Sequence, residues 1–253
     1  MSRISIRDAS ISFPILTSRS KSLTNSIAEL AVGGNFRRGN KGHTLLSALS
    51  NINLELVDGD RMGLVGHNGS GKSTFLRTVA GVYAPTSGIV KTEGRVGSLV
   101  DLLIGVNGEA TGRENIYTRA ALLGVPRKEI ASLYSQVVDF SGLGDFIEMP
   151  LRTYSSGMLL RLAFSVATSV KSDILLMDEW LAVGDDEFRI RAEAKLHEII
   201  QENKILVLAS HSRELIEGLC NKVLWLDHGQ VKMFGRVEDV CDLYFGKRDV
   251  SSS

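Results

Sequence analysis

One octapeptide, "GHNGSGKS" at residues 66–73, constrains the fold of this chain more than any other feature. It fits the pattern GxxxxGK[ST], follows an apolar stretch typical of a buried strand, and precedes helical periodicity from Lys72 to Ala80. A strand, a glycine-rich turn and a helix in this order predict an α/β fold with a phosphate-binding loop. We therefore expect the following residues to bind the phosphates of a nucleotide: Gly66, His67, Asn68, Gly69, Ser70, Gly71, Lys72, Ser73 and Thr74.

Side chains suited to a nucleotide and its metal lie in this loop and at the end of a later apolar run. Lys72 supplies a cation for the β- and γ-phosphates, and the Ser73 hydroxyl is a ligand for Mg²⁺. The run "ILLMDE", residues 174–179, predicts a buried strand that delivers Asp178 to the same Mg²⁺. Glu179 is one residue further, so on an extended chain it points to the other side. It is predicted to polarise the water that attacks the γ-phosphate.

A second apolar run, "KILVLAS" at residues 204–210, predicts another strand buried on both faces. His211 follows it directly, at the edge of the sheet where α/β folds bind ligands. A lone histidine at a strand end is usually an ordinary solvated or core residue. Beside the loop and the acidic strand end, His211 is predicted to donate a hydrogen bond to the γ-phosphate.

The stretch "TYSSGMLLRLAF", residues 153–164, admits two interpretations. Ser155 and Ser156 can cap a helix whose apolar residues follow at helical spacing. The same serines, with Gly157, also leave backbone N–H groups bare at the positive end of a helix, which is how proteins bind phosphate. Both interpretations predict that a helix begins here.

Composition limits the classes of protein to which the chain can belong. In 253 residues, Lys+Arg and Asp+Glu both number 29, so the basic excess typical of nucleic-acid binders is missing and no nucleic-acid partner is expected. The two cysteines and five histidines show no metal-binding spacing. No apolar run approaches the roughly 20 residues that a membrane helix requires. Residues 1–10 carry charges where a signal peptide needs apolar residues.

A basic segment, residues 17–44, interrupts the strand pattern near the N-terminus. Its five basic residues and one acidic residue give a charge of +4. We expect an insertion with a short amphipathic helix at residues 22–32. Such a segment is either a solvated loop or a surface for lipid headgroups or an anionic substrate.

The loop, the acidic strand end, the histidine and "YSSGM" together resemble the motifs of ATP-binding-cassette (ABC) ATPases, over about residues 4–235. The resemblance implies an ABC-type P-loop domain at residues 1–235, with a β subdomain, an inserted helical lobe at about 109–170, and ATP and Mg²⁺ as cofactors. In that family a signature helix, usually LSGGQ, binds the γ-phosphate of the ATP held by a second cassette. A homodimer is thus implied, with Ser155, Ser156 and Gly157 acting in trans.

Other family positions match less closely. The stretch "WLAVGD", residues 180–185, occupies the place of the D-loop, in which Asp185 would touch the partner subunit. Phe13 stands where the family stacks an aromatic on adenine, although a strand-end core aromatic explains it as well. The family's glutamine between sheet and lobe is missing from residues 98–115, and Asp101 is the nearest polar candidate for its place near the metal.

The departures themselves, "TGREN", "TYSSGM", "LAVGD" and the insertion, resemble ABC subunits that export lipid-linked polysaccharides such as bacterial O-antigen. This implies a peripheral subunit on the cytoplasmic face of the inner membrane, paired with a separate membrane-spanning permease and meeting the polysaccharide only indirectly. One alternative is a subunit of another ABC transporter, either an importer or an exporter, where the exporter would carry teichoic acid, capsule or drug. A second alternative is a soluble ABC ATPase that acts on ribosomes or DNA. Residues 236–253 are expected to form only a short helix and tail, too few for the sugar-binding domain that some members carry.

Overall fold

The computed structural model describes residues 1–15, 35–38, 44–179 and 186–247. The helix predicted at 22–32, most of the basic insertion, the segment with Asp185 and the tail from residue 248 lie outside the described residues. The chain divides into two compact units, one formed by residues 1–94, 176–179 and 204–253, the other by residues 95–175 and 180–203.

The described part of the chain begins with four strands, and strands and helices alternate from residue 174 to residue 227. The strands are β1 (Arg3–Ile15), β2 (Asn35–Arg38), β3 (Thr44–Val57), β4 (Arg61–Val65), β5 (Ser87–Glu93), β6 (Val96–Ser98), β7 (Ile174–Asp178), β8 (Ile205–Ala209), β9 (Lys222–Asp227) and β10 (Gln230–Arg236). The α-helices are α1 (Lys72–Val79), α2 (Gly112–Leu122), α3 (Arg127–Ser141), α4 (Ser156–Ser169), α5 (Asp186–Glu202), α6 (Arg213–Leu219) and α7 (Val237–Phe245).

The first unit contains an antiparallel sheet in the strand order β2-β3-β1-β5. Strand β1 pairs with β3 along most of its length, from Arg3 opposite Val57 to Ile15 opposite Thr44. Ile4 and Ile6 are buried while their neighbours are partly or fully exposed, because successive side chains of a strand point to opposite faces. The stretch "ISIRDASISF", residues 4–13, alternates along the chain and so predicts a strand, which β1 confirms.

The same unit contains a second sheet with a parallel centre, in the order β10-β9-β4-β8-β7, to which β7 contributes residues 176–178. Strand β4 runs parallel to both β8 and β9. All five residues of β8 are buried, as the continuous apolar run predicted for a strand covered on both faces. The predicted α/β fold class is confirmed, and the carboxyl ends of β4, β7 and β8 carry the residues discussed below.

The second unit is mainly helical. Its core is built from buried side chains of α2, α3 and α4, among them Ile116, Val137 and Leu162. The sequence has helical periodicity from residue 112 to about 143, with a Gly-Val-Pro break at residues 124–126. Both predictions are confirmed, since α2 and α3 lie in this range and the break separates them. The stretch "GRVGSLVDLL", residues 94–103, predicts a strand with a loop. The strand is the short β6, and the loop follows because the chain turns after Ser98. Among the described residues, none of the helices combines the length and apolarity needed to cross a membrane.

Candidate functional site

Glycines determine the path of the loop between β4 and α1. Gly66, Gly69 and Gly71 have φ angles of 151°, 81° and 107°, which residues with a side chain rarely adopt. A Cβ atom on Gly66 would lie 2.3 Å from the carbonyl oxygen of Leu226, and one on Gly71 would lie 2.9 Å from that of Ala48. Only glycine therefore fits at these two positions without movement of the backbone.

The start of α1 suits an anion. Gly71 is the N-cap of α1 and supplies no side-chain acceptor, and the first turn of the helix contains no acidic residue. The Ser70 hydroxyl is buried and, among the described residues, has no hydrogen-bond partner. A buried hydroxyl without a partner costs about 1–3 kcal/mol, so a ligand that accepts its hydrogen bond is favoured. Bare N–H groups at a helix start and a free hydroxyl are the donors that phosphate oxygens require.

Lys72 is held inside the same loop. Only 9% exposed, it donates hydrogen bonds from Nζ to the carbonyl oxygens of Gly66 at 2.6 Å and His67 at 3.2 Å. Burial lowers the pKa of the ammonium below its ordinary value, and the carboxylates of Asp178 and Glu179 oppose that shift. The cation is thus placed between the loop and the acidic end of β7.

Ser73 and Asp178 meet across 105 residues of sequence: the Ser73 hydroxyl donates a 2.8 Å hydrogen bond to Oδ2 of Asp178. A hydroxyl and a carboxylate are the hard oxygen ligands that Mg²⁺ prefers, so the pair fits the expected metal. Asp101, the third predicted ligand, is an exposed turn residue of the second unit with φ 54°, and its part in metal binding stays a prediction.

Glu179 and His211 lie together at the carboxyl ends of β7 and β8. Oε1 of Glu179 is 3.8 Å from Nε2 of His211, and the side chains are 60% and 43% exposed. Glu179 has φ 65°, and its N–H donates to the carbonyl oxygen of Ala209. The chain leaves the extended conformation at Glu179, so the alternation of side chains along a strand does not determine the direction of the Glu179 side chain, contrary to our expectation. A conformation with positive φ is strained for a residue other than glycine, and strained residues cluster at functional sites.

The helix α4 begins as the sequence indicated. Ser155 is its N-cap, and the side-chain oxygen accepts a hydrogen bond of 3.2 Å from the N–H of Met158. No acidic residue occupies the first turn, and Ser155 and Ser156 are exposed. A Cβ on Gly157 would meet nothing closer than the Ser155 Oγ at 3.9 Å, so the helix start is open. The cap is confirmed, and phosphate binding at this helix start stays a prediction.

Phe13 contacts a second aromatic that we did not predict. Its ring packs edge-to-face on Tyr83, with ring centroids 5.1 Å apart. Tyr83 follows α1 in a turn whose sequence contains nothing that singles it out. The proposed stacking of Phe13 on adenine stays a prediction, and any aromatic surface here involves both rings.

The β9–β10 turn is the other neighbour of the loop that sequence reasoning missed. The N–H of Gly229 donates to the carbonyl oxygen of Ser70 at 2.9 Å, and Nε2 of His67 lies 3.1 Å from Oδ1 of Asp227. The stretch "KVLWLDHGQVKMFG", residues 222–235, predicts a hairpin that turns at residues 228–229, and the pairing of β9 with β10 confirms it. The sequence contained no signal for the position of this hairpin beside the loop, because that position follows from the pairing of β9 with β4, two strands far apart in the chain.

Comparisons with known proteins agree on one family. A family model described as ABC transporter matches residues 49–182. The chain is 42% identical over 232 residues, 91% of its own length and 97% of the other's, to the O-antigen export system ATP-binding protein RfbE of Yersinia enterocolitica. It is 40% identical over 205 residues to the teichoic acids export ATP-binding protein TagH of Staphylococcus haemolyticus, covering 81% of this chain and 77% of that one.

Solved structures show the same fold. The dimeric structure of a post-hydrolysis state of the ATP-binding cassette MJ0796, bound to ADP and phosphate, superposes with a TM-score of 0.65. The alignment covers 92% of this chain and 98% of that one at 17% identity, so it supports the fold alone.

Proposed function

The chain belongs to the ABC transporter family as an ATP-hydrolysing subunit, and from that premise we propose that it powers the export of a lipid-linked polysaccharide of the O-antigen type across the bacterial inner membrane. The observation that carries this proposal is the 42% identity to an O-antigen export ATP-binding protein over 97% of that protein's length. The motif departures in the signature stretch and in "TGREN" support the same branch.

Nucleotide binding is assigned to the loop of the first unit. The N–H groups at the start of α1 and the Ser70 hydroxyl would hold phosphate oxygens, and the Lys72 ammonium would exchange its two carbonyl partners for the β- and γ-phosphates. Ser73 and Asp178 would hold Mg²⁺, which when bound neutralises charge that develops on the phosphates.

Hydrolysis is assigned to Glu179 with His211. The exposed Glu179 carboxylate can accept a proton from water, and its position beside Lys72 and Asp178 keeps that water near the phosphate end of the loop. The His211 imidazole, 3.8 Å from this carboxylate, can orient it and donate a hydrogen bond to a phosphate oxygen.

A second copy of the chain would complete each site. The start of α4 offers capped but otherwise bare N–H groups and an open surface at Gly157, which suits the phosphate of a nucleotide held by the partner. Asp185, outside the described residues, would contact the same partner. The related cassette MJ0796 has been solved as a dimer.

A composite site predicts complementation between two inactive variants. Ser155→Arg damages the helix start and Lys72→Ala damages the loop, so a mixed dimer contains one intact site and one site broken twice. We expect ATPase activity in the mixture to exceed that of either variant alone. As a control, the Ser155→Arg variant is mixed with a double variant that carries both Ser155→Arg and Lys72→Ala. This mixture has no intact site and should remain inactive. If mixed dimers form without any gain in activity, the composite site is wrong.

A membrane-spanning permease would dock on the second unit. Leu103, Ile104 and Leu122 expose large apolar side chains there, and Leu122 lies within 3.7 Å of the position that a Cβ on Gly105 would take. Clustered exposed apolar side chains are typical of a protein interface. The subunit would then be peripheral, on the cytoplasmic face of the membrane.

The substrate class is tested by complementation in a strain that synthesises a lipid-linked O-antigen but lacks its own exporter. We expect this chain, expressed with its permease, to restore polysaccharide at the cell surface, and Glu179→Gln to abolish it. Glu129→Gln, an exposed substitution on α3, should leave export unchanged. Teichoic acid export is the second candidate, because TagH is 40% identical to this chain. Restoration only in a teichoic-acid export mutant would favour that candidate.

A further inference from the structure

Three potential metal ligands converge beside the nucleotide-binding loop. His67, in the loop, and Asp227 and His228, at the end of β9 and the turn that follows, each offer one atom, and these atoms lie within 4.8 Å of one another. Oδ1 of Asp227 is 3.1 Å from Nε2 of His67 and 3.8 Å from Nε2 of His228. Ligands with bonds of about 2.0 Å in a tetrahedral shell lie about 3.3 Å apart, so small side-chain rotations would suffice.

The hydrogen bonds of His67 point to a cation between the imidazole and the carboxylate. Nδ1 lies 2.7 Å from the carbonyl oxygen of Asn68, so this nitrogen must carry a proton and donate it. In a neutral imidazole Nε2 then presents its lone pair to Oδ1 of Asp227, which is also an acceptor. Two acceptors this close repel each other unless a second proton or a metal ion lies between them. An imidazole that binds metal through one nitrogen and donates from the other to a backbone carbonyl is the usual arrangement in metal sites.

The carboxylate of Asp227 divides its two oxygens between different partners. Oδ2 faces Nζ of Lys232 at 3.4 Å, whereas Oδ1 faces the two imidazoles. The His67 and His228 rings lie against each other with centroids 4.6 Å apart, and both side chains are about half exposed, which gives an ion access from solvent. The imidazole of His228 supplies a third ligand atom beside Nε2 of His67 and Oδ1 of Asp227, and this set of two nitrogens and one oxygen favours a transition metal.

We propose that His67, Asp227 and His228 form a binding site for a divalent transition metal of the Zn²⁺ type, separate from the Mg²⁺ site at Ser73 and Asp178. Two imidazoles and one carboxylate suit Zn²⁺ and Co²⁺, whereas Mg²⁺ prefers oxygen ligands. A metal there would connect the loop to the β9–β10 turn, in addition to the hydrogen bond from Gly229 to Ser70.

The test is titration of the metal-free full chain with Co²⁺ in the absence of nucleotide, followed by absorption spectroscopy. We expect one Co²⁺ per chain, with a ligand-field band and no thiolate charge-transfer band, since the buried Cys220 and Cys241 take no part. Zn²⁺ should displace the Co²⁺, and excess Mg²⁺ should not. Zn²⁺ should also raise the thermal unfolding midpoint of the chain, because a ligand bound only to the folded state stabilises it.

Matched variants identify the ligands. His228→Asn removes the imidazole but tolerates the left-handed backbone at φ 46°, so the turn is retained; we expect affinity for Co²⁺ to fall at least about tenfold. His67→Ala should have the same effect, and His197→Asn, an exposed histidine on α5, should have none. Absence of Co²⁺ binding by the wild-type chain would overturn the proposal in favour of a proton shared by His67 and Asp227. Binding that survives His228→Asn in a folded chain would also overturn it.

Discussion

Side chains of the proposed nucleotide site differ in how firmly the surrounding residues hold them in position. Lys72 is buried and held by two backbone carbonyls, so its charge is placed before any phosphate arrives. Glu179 is mostly exposed and lies in a strained backbone conformation, so little packing holds its carboxylate. In the proposed site, nucleotide binding would therefore depend on pre-organised residues, whereas the proposed base would depend on its position at the strand end.

Glu179→Gln separates binding from hydrolysis. The amide keeps the shape of the side chain but cannot accept a proton at neutral pH, so we expect ATP hydrolysis to fall about 100-fold or more. Nucleotide affinity, measured with a fluorescent ATP analogue, should change little. Glu129→Gln should match the wild type in both measurements, and hydrolysis near the wild-type rate in Glu179→Gln would remove Glu179 from the proposed mechanism.

The two buried cysteines are expected to make the free energy of unfolding depend on pH in the alkaline range. Burial raises the pKa of Cys220 to about 12 and that of Cys241 to about 11, against an ordinary value of 9.0. Below pH 9 both states of the chain keep these protons, so the thiols add no pH dependence. Above it the unfolded chain releases protons that the folded chain retains, and the free energy of unfolding falls. Cys220→Ala should lose less stability than the wild type between pH 9 and 11 in urea unfolding.

Among the secondary-structure elements, some helix starts are closed by capping side chains, whereas others remain open to a ligand. The start of α2 is closed by a capping box, in which Thr111 and Glu114 satisfy each other's backbone N–H groups. The start of α4 has the Ser155 cap but no acidic residue in its first turn, and the start of α1 has neither. The helix starts assigned to phosphate binding are therefore those that leave the positive end of the helix dipole uncompensated.

Ser155→Asp distinguishes the cap from the phosphate site. Aspartate caps a helix as well as serine does, so thermal stability should be retained, whereas its negative charge should repel a partner-bound phosphate and reduce ATPase activity at least about tenfold. Ser155→Ala should instead cost about 1 kcal/mol of stability through loss of the cap. An aspartate variant with full ATPase activity would leave Ser155 with a structural function only.

At the scale of the whole molecule, the exposed apolar side chains of the second unit are candidates for the permease interface. Ile104→Glu places a charge on that surface, so we expect recovery of the chain with co-expressed permease from detergent-solubilised membranes to fall several-fold. Ile89→Glu, on β5 of the first unit, is the matched control because Ile89 and Ile104 are both 64% exposed. Both variants should hydrolyse ATP in solution like the wild type. Equal losses of recovery would place the interface elsewhere.

Local sequence was sufficient to predict most secondary-structure elements around the proposed nucleotide site. The P-loop, β7, β8 and the start of α4 were predicted because glycine spacing, apolar runs and capping residues act within a few positions. Strand β5 was not predicted, because most of its side chains are exposed and no clear alternation marks "SGIVKTE". Helix α6 was missed because its seven residues span too few turns for a periodic signal, although Ser212 caps it.

The amino-acid sequence by itself determined the family and the α/β class. Its motifs and strand ends also led us to propose Lys72, Ser73, Asp178, Glu179 and His211 as site residues. Only the tertiary structure decided which distant groups meet. The 2.8 Å hydrogen bond between Ser73 and Asp178 and the approach of Asp227 and His228 to His67 follow from the pairing of β4 with its neighbours. Local propensity acts over a few residues, whereas long-range strand pairing and side-chain packing set these distances, so no single segment of the sequence contains them.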